Sequence, residues 1–352
     1  MDTRTNRSLR RRRQPRKRKK VFISFLIVFS LLFLSTAAFA VIQFELGKNT
    51  ATKNIDNNQT DSDEVTDDIE DETEFNSKEP ENNEPINVLL IGVDTADDEP
   101  ARTDTIMVAQ YNPKTGDAKL ASIMRDTYVE IPGYRDNKIN ASFFLGGPDL
   151  LRQTLEHNFG LDLHYYAMVN FDGFIEVVDT IAPNGVEVDV ENRMYYSVGN
   201  TVIDFQPGLQ TFDGHDALNY VRFRSDRNND FGRVERQQEM LSILKDELLT
   251  LSGITRVPRL VGSLEPYINT NLRTTRILSL GRDFLLNPVD DIDTLRIPVQ
   301  NGYTDKHYSH AGAVLELDFE KNREAITSFF SESSATLAKD STEDEEKTED
   351  DM

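Results

Sequence analysis

The period of the hydrophobic pattern changes repeatedly between residues 86 and 331. Residues 86–93 are almost all apolar, which is typical of a strand that is covered on both faces. The segments 105–111 and 119–124 predict two more strands, because a turn containing Pro and Gly separates them. Together these three segments predict the start of a central sheet.

Spacing near 3.6 residues then predicts a helix over 147–159, where Leu151, Leu155 and Phe159 recur on one face. Further helices are predicted over 171–181, 234–251, 257–264 and 275–285, further strands over 185–190, 217–223 and 293–299, and a closing pair of elements within 313–330. Because strands and helices alternate, we expect the α/β class, with a central β-sheet sandwiched between α-helices. The elements form a single domain over residues 85–331, and their pattern leaves the strand order open.

The first 42 residues combine positive charge with an apolar stretch. Residues 1–20 contain eleven Lys or Arg and one Asp, and residues 21–42 contain no charged residue. A helix of this length, at about 1.5 Å per residue, crosses the roughly 30 Å hydrocarbon layer, so the stretch predicts a transmembrane anchor. Basic residues ahead of a single span favour a cytoplasmic N-terminus and an extracellular domain on the cell membrane. A cleaved signal peptide is the alternative, because Ala38-Phe39-Ala40 resembles a cleavage site.

The charge of the chain is divided between segments of opposite sign. The formal net charge is -22, although residues 1–20 are strongly basic. A span directly after the basic segment favours its attraction to anionic lipid headgroups, so no nucleic-acid partner is expected. Residues 43–84 and 332–352 are acidic and poor in large apolar residues, which predicts a disordered linker and a disordered tail. The absence of Cys excludes disulfides, zinc–thiolate sites and thiol nucleophiles.

Charged side chains lie where predicted strands begin or end. Asp94 follows the first strand and Asp104 lies at the start of the next, so the two carboxylates could share Mg²⁺ at the sheet edge that commonly binds ligands. Arg125 and Asp126 follow another strand, and Lys138 lies in the polar loop beyond it. Because all of these residues lie at strand ends, their positions favour a common cleft. The alternative is that each is an ordinary turn or surface residue.

Arginines are concentrated between residues 222 and 238, at positions 222, 224, 227, 233 and 236. The planar donors of Arg match phosphate oxygens, so this cluster predicts an anion site. Strand alternation would put Arg222 and Arg224 on one face, roughly 6.6 Å apart at about 3.3 Å per residue, which suits a diphosphate. Gly232 and Arg233 stand just ahead of the predicted long helix, whose N-terminus favours anions. A lattice of Arg/Asp salt bridges is the alternative.

Five segments form an ordered series of motifs along the chain. They are INVLLIGVD at 86–94, RTDTIMV at 102–108, SIMRDT at 122–127, NKINASF at 137–143 and ALNYVRFRSDRNNDFGRVERQQ at 217–238. In this order, the series resembles the LytR-CpsA-Psr family. Two departures from the family pattern are Met124, where Pro is usual, and the turn at 182–185, which is not Gly-rich. Neither departure removes a charged group from the expected site.

This resemblance implies an enzyme that moves a glycopolymer, such as wall teichoic acid or capsular polysaccharide, from a polyprenyl pyrophosphate carrier to peptidoglycan. It also implies an α/β sandwich with an apolar groove for the lipid. Asp94, Asp104 and Arg125 would be catalytic, and the two aspartates would hold Mg²⁺ or Mn²⁺. The residues that would bind the pyrophosphate are Arg102, Arg125, Lys138, Arg222, Arg224, Arg233 and Gln237.

Several alternatives stay open at this point. The apolar helix faces over 143–159 and 236–251 could line the lipid groove, but ordinary packing in the core explains them equally well. The protein could also be an anchor that binds wall polymer or lipid carrier without turnover. A membrane-tethered transcription regulator is a third hypothesis, although residues 1–20 are too few for a DNA-binding domain.

Overall fold

The computed structural model describes residues 39–50, 52, 75–80, 84–94, 102–198, 201–225, 229–286, 288–289 and 291–331. The predicted basic segment and acidic tail lie outside these ranges, as do residues 21–38 of the predicted anchor. None of the helices in the described ranges combines the length and the apolar character that a membrane crossing requires.

The described part of the chain contains strands and helices in mixed order. Its strands are β1 (Ile86–Asp94), β2 (Arg102–Tyr111), β3 (Ala118–Ile123), β4 (Thr127–Val129), β5 (Asn137–Lys138), β6 (Tyr165–Val169), β7 (Val186–Val190), β8 (Met194–Val198), β9 (Thr201–Phe205), β10 (Gly208–Phe212), β11 (Ile268–Thr270), β12 (Ile292–Ile297), β13 (Tyr303–Tyr308) and β14 (Gly312–Leu317). Its helices are α1 (39–50), α2 (Ile139–Phe159), α3 (Phe171–Ile181), α4 (Gly214–Arg222), α5 (Asn229–Leu249), α6 (Leu251–Leu264), α7 (Thr274–Leu286) and α8 (Phe319–Ser331).

The central sheet has six strands in the order β11-β6-β1-β2-β3-β12. Strand β2 lies antiparallel to both β1 and β3, while β6 is parallel to β1 and β12 is parallel to β3. The strands β1 and β3 therefore run in the same direction. As a result, the residues that follow them meet at one edge of the sheet, together with the first residues of β2.

Helices cover both faces of this sheet, which confirms the predicted α/β sandwich. On one face, Leu151 of α2 and Ile326 of α8 are fully buried in a cluster with Leu89 of β1. On the other side, α3, α4 and α5 share a second cluster in which Val178 and Met240 are buried. The near-continuous apolar sequence of β1 follows from this double cover.

Smaller sheets surround the central one. A four-stranded sheet has the order β13-β14-β4-β5, and it begins directly after β3. Strand β7 pairs with β10, and β8 pairs with β9 as an antiparallel hairpin. The β8–β9 hairpin carries Tyr196 and Ile203, which reach the cavity described below.

The predicted strand over 217–223 is wrong, because this segment belongs to helix α4. The side chain of Asp213 caps the helix by accepting a hydrogen bond from the backbone N–H of Asp216. Ala217, Leu218 and Val221 are then buried at helical spacing. A short apolar run fits either period, and the cap upstream of it favours the helix.

Two predicted helices begin earlier in the structure than the pattern indicated. Helix α2 starts at Ile139, and its backbone departs from helical geometry at Gly146 and Gly147, which marks a kink before the regular segment. Helix α5 starts at Asn229. Gly232 and Arg233 therefore lie inside its first turns and not ahead of it.

The structure differs from the predicted linker at both of its ends. Residues 43–50 belong to α1, which crosses α6 so closely that a Cβ on Gly262 would collide with the Phe44 carbonyl. Further along, the ring of Phe75 lies 4.9 Å from that of Tyr166, centroid to centroid. A few apolar residues in an acidic segment are thus enough to fix short stretches against the domain. Residues 53–74 lie outside the described ranges.

Candidate active site

A polar cavity of about 430 Å³ lies where β1 ends and β2 begins. Its lining residues come from β1, β2, the β8–β9 hairpin, α4 and the loop after α4. They are Asp94, Asp104, Tyr196, Ile203, Asn219, Arg222, Phe223, Arg224 and Ser225. Four of the predicted site residues are among them. The structure therefore brings together both predicted carboxylates and two of the predicted arginines, although they are far apart in sequence.

Asp104 is the centre of the charged network. Arg125 donates a short hydrogen bond to its Oδ1 atom, and Nη2 of Arg224 donates to its Oδ2 atom at 2.6 Å. Nη1 of Arg233 lies 4.0 Å from the same oxygen. Burial opposes ionisation of Asp104, but Arg125 and then Arg224 and Arg233 outweigh it and hold the pKa of Asp104 below its ordinary value.

Asp230, in the first turn of α5, is a second carboxylate among the same arginines. Its oxygens lie 3.5 Å from Nε of Arg125, 3.6 Å from Nε of Arg224 and 3.7 Å from Nη1 of Arg233. The sequence prediction missed this residue, because an Asp near a helix N-terminus has an ordinary explanation as a dipole partner. The available signal was its spacing of three from Arg233, which places the two side chains on one helix face.

Arg233 is the most deeply buried arginine of this network, with 3% of its side chain exposed. Its Nε and Nη1 atoms are shielded from solvent and make no hydrogen bond to any described residue. Burial, together with the charges of Arg224 and Arg125, lowers the pKa of Arg233 to about 10, although Asp230 and Asp104 oppose this effect. A buried cation with unused donors favours the binding of an added anion.

Arg222 lines the cavity beside Asp94. Its guanidinium carbon lies 3.9 Å from the centroid of the Phe171 ring, and Nη2 lies 3.6 Å from Oδ2 of Asp94. Nearly half of its side chain is exposed. Stacking on an aromatic ring fixes the plane of the guanidinium while leaving its donors free to reach a ligand. Arg222 and Arg224 thus serve one cavity through a helix end, and the strand alternation first expected for them does not exist.

An apolar groove of about 240 Å³ adjoins this cavity. Its walls come from β1, β2, β6, α3, α4 and α5, and include Leu90, Met107, Ala167, Val169, Phe174, Val177, Leu218, Val221, Met240, Leu241 and Leu244. Arg222 and Gln237 also line it. The groove therefore has one polar end, at the arginines, and an apolar body that suits a hydrocarbon chain.

The structure separates the two helix faces that were predicted to line a lipid groove. The segment 236–251 contributes to it through Met240 and Leu241 of α5. The segment 143–159 does not, because Leu151 and Leu155 of α2 are fully buried in the core on the other face of the sheet. For α2 the alternative of ordinary core packing is correct.

The other predicted residues lie at the margins of the cavity. Nζ of Lys138 lies 2.7 Å from Oδ1 of Asp126, whose second oxygen is 3.6 Å from Nε of Arg125. Gln237 donates a hydrogen bond of 2.9 Å to the hydroxyl of Thr105. Arg102 lies in β2, but its side chain is outside the described part of the structure.

Two arginines of the cluster had no predicted role. Arg236 donates a short hydrogen bond to the Phe223 carbonyl and lies over the rings of Tyr220 and Phe223. It thereby holds the chain between α4 and α5 that presents Arg224. Arg227 lies outside the described residues.

The carboxylates of the cavity fit a partly hydrated divalent cation. Asp94 and Asp104 line the same space, and each carboxylate oxygen offers more than one acceptor site. Mg²⁺ needs only one or two protein carboxylates when substrate phosphates and waters complete its coordination. In the described residues no three His, Asp or Glu side chains gather into a site that could hold a metal by themselves. Any cation here would therefore depend on the ligand for part of its coordination.

Comparison with known sequences gives consistent matches. A sequence model described as the LytR_cpsA_psr family matches residues 48–325. The regulatory protein MsrR of Staphylococcus aureus strain COL is 38% identical over 251 residues, which cover 71% of this chain and 76% of that protein. TagU of Oceanobacillus iheyensis, a polyisoprenyl-teichoic acid–peptidoglycan teichoic acid transferase, is 35% identical over 202 residues, 55% of this chain and 61% of TagU.

Solved structures share the fold. TagV of B. subtilis superposes with a TM-score of 0.60 at 28% identity, covering 72% of this chain and 99% of TagV. TagT bound to LI-WTA superposes with a TM-score of 0.56 at 26% identity, covering 70% of this chain and 89% of that one. The similarity therefore covers about 70% of this chain in both comparisons.

Proposed function

Because the chain belongs to the LytR_cpsA_psr family, we propose that it is a phosphotransferase that moves a glycopolymer of the teichoic acid type from a polyprenyl pyrophosphate carrier to peptidoglycan. The observation that carries this proposal is that the arginine cavity adjoins the apolar groove, because Arg222 lines both spaces. A ligand that fills both spaces must have a strongly anionic group directly attached to a hydrocarbon chain. Two related proteins, TagU and TagT, have names that point to teichoic acid.

In this proposal the pyrophosphate lies among Arg125, Arg222, Arg224 and Arg233, and the lipid follows the groove. Among the described residues, the four cations Arg125, Arg224, Arg233 and Lys138 outnumber the three carboxylates Asp104, Asp126 and Asp230 by one, which leaves an excess of positive charge in the network. Arg233 is buried beside Asp104 and Asp230, so it would add its positive charge to this position from behind. Gln237 would mark the boundary between the charged and apolar parts of the donor.

The reaction is a substitution at phosphorus. A hydroxyl of the acceptor sugar attacks the phosphorus next to the glycan, a new P–O bond forms, and the P–O bond to polyprenyl phosphate breaks. The hydroxyl proton passes to a carboxylate at the cavity, for which Asp94, Asp104 and Asp126 are the candidates. Such transfers depend on positioning and on neutralisation of phosphate charge, which the arginines supply.

Asp94 and Asp104 would hold Mg²⁺ or Mn²⁺, which supplies charge neutralisation at the pyrophosphate when bound. Removal of divalent cations with EDTA is expected to lower the transfer rate about 100-fold, because the two carboxylates then repel the phosphates. Added Mg²⁺ or Mn²⁺ should restore the rate, measured as label transferred from a lipid-linked glycan to peptidoglycan by the full-length protein in detergent. A rate that EDTA leaves unchanged would rule out the metal.

Residues 21–42 would anchor the chain in the cell membrane, with the catalytic domain on the outer side. This location supports the proposed function, because both the lipid carrier and peptidoglycan are then within reach. Fusion of a protease-sensitive tag to the C-terminus tests the orientation: cleavage by external protease in intact protoplasts supports it, and protection contradicts it.

The groove makes a separate prediction for Leu241, a half-buried groove residue of α5. Leu241→Glu places a charge in the apolar wall, so the KM for a donor with a long polyprenyl chain should rise about 10-fold. The KM for a donor with a geranyl chain should change little, since it leaves most of the groove empty. Leu278→Glu, at an exposed position of α7, is the matched control. Equal effects on both donors would show that the groove does not hold the chain.

Two other functions predict different products. A binder without turnover would retain the lipid-linked glycan and release no polyprenyl phosphate. The relative MsrR is named a regulatory protein, and a regulator that binds DNA directly would do so with sequence preference. Mass analysis of the products of the purified full-length protein separates transfer from binding: free polyprenyl phosphate together with glycan-modified peptidoglycan supports the proposal, and intact donor alone contradicts it.

A further inference from the structure

A second open cleft, of about 700 Å³, lies between α5 and the segment that joins β12 to β13. The residues that give it its character are Phe231, Glu235, Arg296, Asn301, Tyr303 and Asp305. None of them lines the arginine cavity or the apolar groove. The cleft is therefore a separate space with its own chemistry.

Two aromatic rings form part of the cleft wall. The centroids of Phe231 and Tyr303 lie 5.7 Å apart, with 30° between the ring planes. The guanidinium carbon of Arg296 lies 4.5 Å from the centroid of Phe231 and holds that ring from one side. Partly exposed aromatic rings offer a flat apolar surface, and the C–H face of a pyranose ring can pack on such a surface while its hydroxyls stay in contact with water.

The other side chains of the cleft are polar but form no anion site. Nη1 of Arg296 lies 3.3 Å from Oε1 of Glu235, so its charge is already partnered. Asn301 and Asp305 are exposed and supply hydrogen-bond acceptors and, from the amide, donors. This mixture suits the hydroxyl and acetamido groups of an uncharged saccharide, whereas phosphates would favour the arginine cavity.

The cleft and the arginine network lie on opposite sides of helix α5. At about 100° per residue, Phe231 and Glu235 share one side of the helix, and Arg233 and Gln237 share roughly the opposite side. Arg233 and Gln237 belong to the site proposed for the lipid-linked donor. Asp230, which contacts three arginines, directly precedes Phe231 in the chain. Helix α5 thus has the cleft on one side and the arginine network on the other, and its first turn contributes Phe231 to the cleft and Asp230 to the network.

We propose that the cleft between Phe231 and Tyr303 binds the acceptor glycan, a chain of N-acetylated sugars, so that a sugar hydroxyl reaches the arginine cavity past the first turn of α5. This inference rests on the proposed transferase function, since it names the subsite for the second substrate. Stacking on the two rings orients the sugar plane. Asn301 and Asp305 select hydroxyl and acetamido groups.

The test uses the full-length protein in detergent and a peptide-free tetrasaccharide of alternating N-acetylglucosamine and N-acetylmuramic acid, with the lactyl carboxyl groups capped as amides so that the probe is uncharged. The double variant Asn301→Gly/Asp305→Ala removes the polar groups, and Gly tolerates the positive φ of 57° found at Asn301. We expect the KM for the acceptor to rise about 10-fold, with the KM for the donor unchanged, because two hydrogen bonds are lost. Direct titration of the tetrasaccharide should show the same loss of affinity.

Two further variants make the result specific. Asp189→Ala also removes an exposed strand carboxylate, on β7 away from the cleft, and should keep both KM values. Phe231→Leu retains an apolar side chain in the buried cluster with Met124 and Val234 but removes the aromatic face, and should also raise the acceptor KM. Normal transfer with a native acceptor KM in both cleft variants would overturn the proposed saccharide site but not the transferase function. Absence of transfer by the native protein, with tetrasaccharide binding that the cleft variants weaken, would overturn the transferase function and leave the saccharide site standing.

Discussion

Arg125→Ala is expected to lower the rate of glycan transfer about 1,000-fold. The guanidinium of Arg125 contacts Asp104 directly and approaches Asp126 and Asp230 within 3.6 Å, so it links three carboxylates of the described network. Burial opposes the charge of Arg125, but Asp104 and the other two carboxylates outweigh burial and raise the pKa of Arg125. The side chain is therefore a fixed, permanent cation beside the position proposed for the pyrophosphate. Single-turnover rates with saturating lipid-linked donor measure the effect.

Matched variants separate this role from a general loss of charge or of folding. Arg125→Lys keeps the charge but loses the planar fork of donors, so its rate should fall between those of the native protein and the alanine variant. Arg282→Ala removes an exposed arginine whose partner is the neighbouring Asp283, and should have the native rate. If folded Arg125→Ala protein transferred glycan at the native rate, the proposed role of the arginines in holding the pyrophosphate would be wrong.

The sequence predicts the location of this site better than its local geometry. Asp94, Asp104 and Arg125 could be expected at one sheet edge, because each follows or begins an apolar strand and such strand ends converge. Arg222 and Arg224 were expected on a strand. They reach the same cavity from the end of α4 and the residue after its cap, because Asp213 starts a helix in a segment whose apolar run fits both periods.

The hydrophobic pattern does not determine which residues that are distant in sequence contact each other in the fold. Asp230 contacts Arg125, more than one hundred positions earlier in the chain, and nothing in the local sequence distinguishes it from a residue near a helix cap. The same holds for the groove, which needs Leu90 of β1 and Leu241 of α5 to face each other across the sheet–helix interface. Periodicity shows that each side chain has an apolar environment, but it does not show which buried faces leave space between them.

The charge balance of the site connects its stability with its function. Asp104 and Asp230 keep Arg125, Arg224 and Arg233 close together despite their mutual repulsion. Among the described residues, the three carboxylates of Asp104, Asp126 and Asp230 face four cations, Arg125, Arg224, Arg233 and Lys138. Burial and the neighbouring arginines lower the pKa of Arg233 to about 10. An incoming pyrophosphate would offset the remaining repulsion. We therefore expect ligand binding to stabilise the folded protein, in addition to positioning the substrate.

Asp104→Asn is the second change with a large expected effect, again about 1,000-fold on the transfer rate. The substitution keeps the shape of the side chain but removes the charge that holds Arg125 and Arg224 in place. It also removes one of the two carboxylates proposed to hold the cation. Asp117→Asn changes a half-buried aspartate whose side chain bonds to Thr115 in its own turn, and serves as the control with native activity. A native transfer rate in folded Asp104→Asn protein would exclude Asp104 from the reaction.

The same variant makes a prediction for stability against pH. The pKa of Asp104 in the folded protein lies below its ordinary value of 3.8, because its arginine partners outweigh burial. Its charge therefore stabilises the fold fully above pH 3.8, and this contribution is lost as the pH falls through the lower folded-state pKa. Asn imitates the protonated carboxyl, so the difference in unfolding free energy between native and variant protein should be on the order of 1–2 kcal/mol at neutral pH. In urea titrations at successively lower pH, that difference should shrink below about pH 3.8; a difference that stays constant would mean that the charge of Asp104 does not support the arginine network.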